Sequence, residues 1–345
     1  MRDPFRNLNV YKIDPLTEVR NAGIVTNGQV YWVSSTADSD HRQRTDDLGN
    51  SVVKVSIQSA IDAVETDQND YVLVVPTDGG SARDLSAAVD INEDRVHVLG
   101  LGYKPAPMAY NGLTFRGFAT ASPAVVDTEL VNVTGAGVEL GGLKFLGTSG
   151  TADTGTITAL MRIGTAASGT PNDFWMHDVA IENTSAATDD GTAYTVNITG
   201  NVATSGITGL RFDRCWLGNW AFAPAAVIQM GGTAGPARSE FHDCMFVIDA
   251  QATTDGFVAM GTGRTEYTLF KNCEFINVEA GTAPASVFTG AVLVDNPVLL
   301  RNCSYVNVTQ AGTDTEVFKS PAFSGTAAAI TDVGIAIGSA AVVPA

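Results

Sequence analysis

The residues best suited to chemistry in this sequence are its four cysteines, because thiolates bind metals, form disulfides and attack electrophiles. All four stand in near-copies of one nine-residue frame, of which FKNCEFINV (270–278) is the clearest. They are separated by 29, 29 and 30 residues: Cys215, Cys244, Cys273 and Cys303. A metal site, a set of disulfides and a structural repeat are three explanations of this spacing.

The neighbours of the cysteines favour a structural repeat. Large apolar residues stand three positions before and two positions after them: Phe212, Phe241, Phe270, Leu300, Leu217, Phe246, Phe275 and Tyr305. A fifth, weaker copy (MHDVAIEN, 176–183) has Val179 in the cysteine position, which suits a buried thiol but not a metal ligand. Zinc ligands come in close pairs, and parallel neighbours orient thiols poorly for a disulfide. We expect free thiols stacked in a core, with disulfides and a metal as the weaker alternatives.

The position directly before each cysteine predicts a sharp bend in the backbone. Apolar side chains on both sides of it should face the core, which breaks the two-residue alternation of a strand. Asn and Asp tolerate the left-handed conformation that such a bend requires. We therefore expect Asp243, Asn272 and Asn302 to stack as a short ladder at one corner.

One column of charged residues could carry acid–base chemistry. Polysaccharide hydrolases need two carboxyl groups roughly 5–10 Å apart. Two positions before the cysteines stand residues of mixed charge: Asp213, His242, Lys271 and Arg301. Asp243 takes a different offset, so it does not join Asp213 in this column. We expect a solvated charge ladder here, and we predict no catalytic, cofactor-binding or metal-binding residue.

The other polar and aromatic candidates are isolated along the sequence. No His-x-x-His, Gly-x-Ser-x-Gly, phosphate-loop or calcium-loop spacing occurs. Turn carboxylates are expected to be solvated, and scattered histidines to lie at the surface or to be satisfied internally: Asp189, Asp190, Asp255, His41, His97 and His177. Three tryptophans could floor a sugar-binding groove, although core or subunit contacts suit the last two better: Trp175, Trp216 and Trp220.

The elements that must position these residues are short strands. From about residue 113 onward, apolar or alternating runs recur between connections rich in Gly, Thr, Ala and Asp. A repeat of 29–30 residues without a helix excludes helical solenoids, and propeller blades need about 40–45 residues. Three strands and three turns fit this length. The sequence predicts an all-β, parallel β-helix solenoid, in which residues one repeat apart stack about 4.8 Å apart.

The N-terminal part has a different plan. Strands are predicted in GQVYWVSS (28–35), YVLVVP (71–76) and RVHVLGLGYKP (95–105). Between the first two, apolar residues from Ile57 to Val64 recur at helical spacing, and Ser56 is placed to cap the start. We predict a short amphipathic helix at 56–66 that covers the N-terminal end of the solenoid.

Composition narrows the choice of partners. The 345 residues include 37 acidic and 20 basic side chains, for a net charge of −17, with no Lys/Arg cluster. Nucleic acid and anionic membrane are therefore disfavoured as partners. No apolar run approaches the roughly 18–20 residues of a membrane span. The first residues carry no export signal, so we expect synthesis in the cytoplasm.

The order of the motifs resembles a known superfamily. VYWVSS, a polar loop, SIQSAIDAV, YVLVVP and VLGLGYKP precede coils that carry x-N-C-x-F. This arrangement resembles the right-handed parallel β-helix proteins of the pectate-lyase-like superfamily. More narrowly, it is similar to a group found among tailed-phage virion proteins. The similarity is close over about 28–105 and general over 106–320, and it departs after Pro76, where Thr77 replaces the usual glycine.

From the resemblance, which is absent in 1–27 and 321–345, and from the composition of those two segments, we expect a structural virion protein with four regions. These are an N-terminal arm (1–27), N-terminal strands with a capping helix (28–105), a parallel β-helix (106–320) and an apolar tail (321–345). We expect a homotrimer without cofactors, bound through residues 1–27 to the major capsid protein lattice as a decoration, cement or head-spike protein on the capsid surface. The alternative is a receptor-binding tailspike that binds or depolymerises a host polysaccharide, which would make a host glycan a partner.

Overall fold

The computed structural model describes residues 28–34, 51–76, 83–85, 88–101, 114–119, 129–149, 159–164, 171–184, 193–199, 207–220, 224–231, 234–250, 256–260, 264–278, 286–289 and 298–306. Within these ranges the chain forms strands and one short helix, and no helix there is long and apolar enough to cross a membrane. The predicted arm (1–27) and tail (321–345) lie outside the described residues, as do His41, Asp189, Asp190 and Asp255. The four predicted regions therefore remain predictions.

The N-terminal elements are β1 (Val30–Val33), β2 (Val53–Lys54) and α1 (Ile57–Ile61). The predicted helix is confirmed, but it ends at Ile61 rather than near residue 66. Ser56 caps it, and the Ser56 and Ser59 side chains each accept from the other's backbone N–H. Two turns after the helix still bring Val64 into the core. The apolar face predicted for the helix therefore covers the end of the solenoid, as expected.

From β3 onward the chain visits three parallel sheets in a fixed order, one strand in each sheet per coil. The first three coils contain β3 (Tyr71–Val74), β4 (Arg83–Leu85), β5 (Val89–Ile91); β6 (His97–Gly100), β7 (Thr114–Ala119), β8 (Val131–Val133); β9 (Glu139–Gly141), β10 (Lys144–Ser149) and β11 (Ala159–Ile163). The next two contain β12 (Trp175–His177), β13 (Ala180–Thr184), β14 (Ala193–Ile198); β15 (Arg211–Asp213), β16 (Trp216–Asn219) and β17 (Pro224–Met230).

The last coils contain β18 (Ala234–His242), β19 (Met245–Ile248), β20 (Gly256–Met260); β21 (Arg264–Lys271), β22 (Glu274–Asn277), β23 (Ser286–Thr289); β24 (Val298–Arg301) and β25 (Ser304–Val306). The strands that begin each coil form sheet 1, to which β1 and β2 add at the N-terminal edge. The second strands form sheet 2, and the third strands form sheet 3. The protein is therefore a right-handed parallel β-helix, as the sequence predicted.

Stacked columns of identical or similar side chains fill the interior. In sheet 1, Phe212, Phe241 and Phe270 face inward on successive strands, with ring centroids 4.6 and 4.5 Å apart. In sheet 2, Phe246 stacks on Phe275 at 4.9 Å. Because phenylalanine lies above phenylalanine in these two columns, neighbouring coils can pack their cores in the same way.

The cysteines occupy the corner between sheets 1 and 2, as the sequence predicted. All four are free thiols, at most 2% exposed, and Val179 lies in the same buried column. The thiol of each cysteine donates to a backbone carbonyl of the preceding coil, for example Cys273 to Phe241. Burial raises the pKa of the Cys244 thiol well above its usual value. These cysteines act as small apolar residues.

The bend before each cysteine is also confirmed. Asp243, Asn272 and Asn302 have φ angles of 53–54°, in the left-handed region. Asn272 Nδ2 donates to Asp243 Oδ1 at 3.0 Å, and Asn302 Nδ2 to Asn272 Oδ1 at 3.4 Å. Asp178 and Arg214 occupy the same corner with φ angles of 52° and 53°. The predicted ladder therefore continues upstream as a charged pair.

The 29–30-residue repeat holds only for the C-terminal coils. Asp243, Asn272 and Asn302 are separated by 29 and 30 residues, whereas the equivalent Asp178 and Arg214 are 36 apart. Earlier still, His97 and Glu139 face each other across 42 residues. Because the connections in these coils are longer, the spacing in the sequence does not reveal which residues stack on one another.

Candidate functional site

The candidate site lies on the outer face of sheet 1, where two columns of side chains point away from the core. One column contains, in order, Tyr71, His97, Glu139, Trp175, Arg211, Glu240, Leu269 and Leu299. The other contains Leu73, Leu99, Gly141, His177, Asp213, His242, Lys271 and Arg301. The second column is the one that the sequence predicted from Asp213 to Arg301, extended upstream by His177.

Glu139 is the centre of a charged network on this face. Its Oε2 lies 2.5 Å from His97 Nδ1, and its Oε1 lies 3.0 Å from His177 Nε2. Only 15% of the Glu139 side chain is exposed. Burial alone would raise the pKa of Glu139, but the hydrogen bonds with the two imidazoles outweigh it and lower the pKa to about 2. Glu139 is therefore ionised at neutral pH.

His177 links this carboxylate to the corner ladder. Its Nδ1 lies 3.2 Å from Asp178 Oδ2, and Arg214 makes a two-pronged contact with Asp178 at 2.9 and 2.6 Å. The hydrogen bond with Glu139 raises the pKa of His177 against the opposing effect of burial. The hydrogen bonds with Asp178 likewise raise the pKa of Arg214. Imidazole, carboxylate and guanidinium groups thus contact one another across four coils.

A second carboxylate of the network is enclosed by Trp175 and Arg211. Trp175 Nε1 and Arg211 Nε both donate to Asp213 Oδ2 at 2.7 Å. The guanidinium also lies 5.9 Å from the centre of the Trp175 ring. Asp213 is only 3% exposed, so the expectation of a solvated ladder is wrong at this position. The indole and the guanidinium cover the carboxylate that the sequence placed at the surface.

Gly141 gives His177 the room to reach Glu139. A Cβ atom on Gly141 would come within 2.5 Å of His177 Cε1 and 2.6 Å of Nε2. Above and below the network, rings pack on rings: Tyr71 stacks on His97 at 4.3 Å, and Trp175 lies 4.5 Å from His177. The imidazoles are thus held by both hydrogen bonds and ring contacts, which fixes their orientation.

The chemistry open to this arrangement is charge pairing rather than acid catalysis. A general acid of a glycosidase is a carboxyl group whose pKa is raised, whereas that of Glu139 is lowered. Asp178 and Asp213 are each occupied by a guanidinium that lies within 3 Å. Among the described residues, no group of three or more His, Cys, Asp or Glu side chains has the arrangement of a metal site.

The tryptophans proposed as a groove floor do not share one face. Trp175 lies on sheet 1 and is 38% exposed, whereas Trp216 points outward from sheet 2. Trp216 and Trp220 stack on each other with ring centroids 6.3 Å apart. A Cβ atom on Gly218 would collide with the Trp220 ring, so this indole lies directly on the sheet. Packing is therefore the role of the second and third tryptophans, as expected.

The sequence did not identify Glu139 as a site residue, and it treated His97 and His177 as unrelated. His177 carried a usable signal, since it stands two positions before Val179, the offset that defines the charged column. Glu139 carried a weaker signal. It stands four positions before Leu143, as Glu240 stands four positions before Cys244, but a leucine takes the place of the cysteine. His97 carried none, since 42 residues separate it from Glu139.

Comparison with known proteins adds only distant similarities. No protein-family model matches the sequence, and no curated protein is similar to it. A pectin methylesterase from Aspergillus niger is 11% identical over 89% of this chain and 85% of its own, with a TM-score of 0.44. The tailspike protein gp49 of Acinetobacter baumannii bacteriophage Fri1, a capsular polysaccharide depolymerase, is 13% identical over 86% of this chain and 51% of its own, with a TM-score of 0.41. Scores this low carry no functional argument, and the fold assignment rests on the three sheets described above.

Proposed function

We propose that this chain is a structural protein of a tailed-phage virion, displayed on the capsid as a decoration or head-spike protein. The observation that carries the proposal is that the carboxylates at the centre of the outer-face network are already paired with side chains of the same face. Glu139 is held by two imidazoles, and Asp178 and Asp213 by guanidiniums. A polar face built in this way adds stability, and these three carboxylates are not free to act as acids in hydrolysis.

The architecture is suited to a virion component that must stay folded outside a cell. In a solenoid, every internal strand has a partner on both sides, so sheet edges occur only at the two ends. At the N-terminal end, α1 brings Ile57 and Ile61 into the main core. Asp70 fastens this end, because its buried carboxylate accepts from the backbone N–H groups of Gln29 and Glu65. The resemblance of residues 28–105 to phage virion proteins points to the same role.

Residues 1–27 are the proposed attachment segment. Their Arg2, Arg6, Lys12 and Arg20 side chains contrast with the acidic chain as a whole. We expect a chain lacking residues 1–27 to fold into the same β-helix, with unchanged circular dichroism and thermal transition, but not to join particles. The full chain produced in parallel is the control. Incorporation of the truncated chain at the level of the full chain would overturn the proposed attachment.

A second candidate function, binding of a host glycan, is favoured by one observation. Trp175 presents a 38% exposed indole beside Arg211 and His177, and sugars pack on such ring faces. Binding of capsular or lipopolysaccharide fragments by the full chain, abolished in Trp175→Ala and retained in Trp220→Ala, would favour this function. Equal binding by both variants would contradict it.

A further inference from the structure

The outer face of sheet 2 changes from covered to open toward its C-terminal end. Val247, Ile276 and Val306 face outward in one column of neighbouring strands. Val247 is only 2% exposed, Ile276 is partly exposed, and Val306 is 46% exposed. Beside them Val278, two residues after Ile276, is 51% exposed. We call Ile276, Val278 and Val306 the apolar strip.

The apolar strip is unusual among the described outward positions. Leu146 and Glu182 lie upstream in the column of Val247 and are buried, whatever their polarity: Leu146 is 4% exposed, and Glu182, which pairs with Lys144 at 2.9 Å, is 3% exposed. In the last two coils, by contrast, three branched aliphatic side chains meet water. Contiguous apolar surface of this kind normally marks a contact site.

The chain itself supplies a segment that matches the strip. The last described strand ends at Val306, inside the strip, and 39 residues follow it in the sequence. The final twenty, TAAAITDVGIAIGSAAVVPA (326–345), contain one charged side chain, Asp332. The nineteen intervening residues (307–325) can span up to roughly 63–68 Å when extended, so this segment can reach any part of the strip.

We propose that residues 326–345 dock on the apolar strip of their own chain and continue the cover of sheet 2. Small and branched apolar side chains of the segment would bury Ile276, Val278 and Val306. A tethered segment meets its site at an effective concentration near the millimolar range, which favours the same chain over a second copy. The proposal does not depend on the virion assignment, because it concerns only the folding of this chain.

Photo-cross-linking tests this docking directly. A benzophenone maleimide would be attached through Val278→Cys in the full chain, since the four native thiols are buried and should not react. Glu65→Cys, exposed beside the helix at the opposite end, is the matched control. Mixing isotopically light and heavy chains separates contacts within one chain from contacts between chains.

The proposal predicts that the dominant V278C cross-link joins residues 326–345 of the same chain and that the E65C probe gives no such product. A cross-link to a different chain, to another segment or to none would overturn it. As a second measurement, Val306→Asp should abolish the hydrogen-exchange protection of 326–345, and Glu274→Gln on the same sheet should preserve it. A segment unprotected in the unchanged protein, or protected equally in both variants, would also overturn the proposal.

Discussion

The two halves of sheet 1 differ in how they are built, although one set of hydrogen bonds runs through both. From Arg211 to Arg301, coils of 29–30 residues repeat a large inward apolar residue, a left-handed corner residue and a cysteine. From Tyr71 to Trp175, the coils are of unequal length, at 26, 42 and 36 residues, and the outer face carries the network of His97, Glu139 and His177. The first arrangement concentrates its stabilisation in the core, and the second adds a network at the surface.

This difference shows that a regular repeat suits stacked apolar residues but not stacked charged residues. Identical side chains stack well when they are apolar, as Phe241 and Phe270 do at 4.5 Å. Identical charges on neighbouring strands would repel one another, so an ionic column must vary from coil to coil. The alternation of His97, Glu139 and His177 meets this requirement.

The largest expected effect is in the core of the regular half. Phe270→Ala removes a fully buried ring that stacks on Phe241 and contacts Phe246 and Phe275, and it should cost about 3–5 kcal/mol of unfolding free energy. Leu269→Ala changes the adjacent outward residue and should cost about 1 kcal/mol or less. Denaturant unfolding of both variants measures the difference. Equal losses would contradict the assignment of inward and outward faces.

The next effect distinguishes the charged half. Glu139→Gln removes the negative charge and one of the two carboxylate oxygens that pair with His97 and His177, and we expect a loss of about 3 kcal/mol near pH 5.5, the equivalent of the lowered pKa. Glu240→Gln alters a carboxylate that is 39% exposed and contacts only His242 among the described histidines, so it should cost about 0.5 kcal/mol or less. Similar losses of unfolding free energy in the two variants would mean that the network around Glu139 adds no more stability than an exposed ion pair.

The pH dependence of stability follows from the same two groups. The pKa of Glu139 is lowered, so its contribution is present above about pH 4.5 and is lost as the pH falls toward 2. The pKa of His177 is raised, so its contribution is complete below pH 6.5 and is lost as the pH rises through the higher folded value. The network should therefore stabilise most between about pH 4.5 and 6.5. Thermal melting across this range should show the maximum in the unchanged protein and a flattened profile in Glu139→Gln.

A smaller effect is expected at the cysteine column. Cys273→Ala leaves a small cavity among apolar neighbours and should cost about 1–2 kcal/mol, with folding retained. Cys273→Val, which copies the residue at position 179, tests the space available and should also fold. Unfolded protein in both cases, or zinc in the purified protein by elemental analysis, would contradict a purely apolar role.

The smallest effect is expected at the corner ladder. Asn272→Ala places an alanine at a φ angle of 54° and removes the hydrogen bonds with Asp243 and Asn302, for a loss of about 1 kcal/mol. Asn272→Gly removes the same bonds but tolerates this φ angle, so its loss should be smaller. Chemical denaturation of the two variants separates the cost of backbone strain from the cost of the lost hydrogen bonds. A greater loss of unfolding free energy in Asn272→Gly than in Asn272→Ala would contradict the contribution of backbone strain.

The sequence predicted the regular half well because local composition and spatial neighbours coincide there. The residue types directly before the cysteines predicted the left-handed corner, and Val179 indicated that the cysteine column is apolar. The shielding of Asp213 from solvent was not predictable, because it depends on Trp175, which is 38 residues away in the sequence. The contact of His97 with Glu139 was also hidden, because the coil between them is longer than the repeat. The two short strands β4 and β5 were missed because neither has a distinct apolar run.

The central claim, a structural role on the capsid, is tested most directly by immunogold electron microscopy of phage particles in a lysate. An antibody raised against this chain should label the heads over their whole surface. Label confined to the tail tip would contradict the capsid role and favour the glycan-binding candidate. Particles without label would contradict the virion assignment itself.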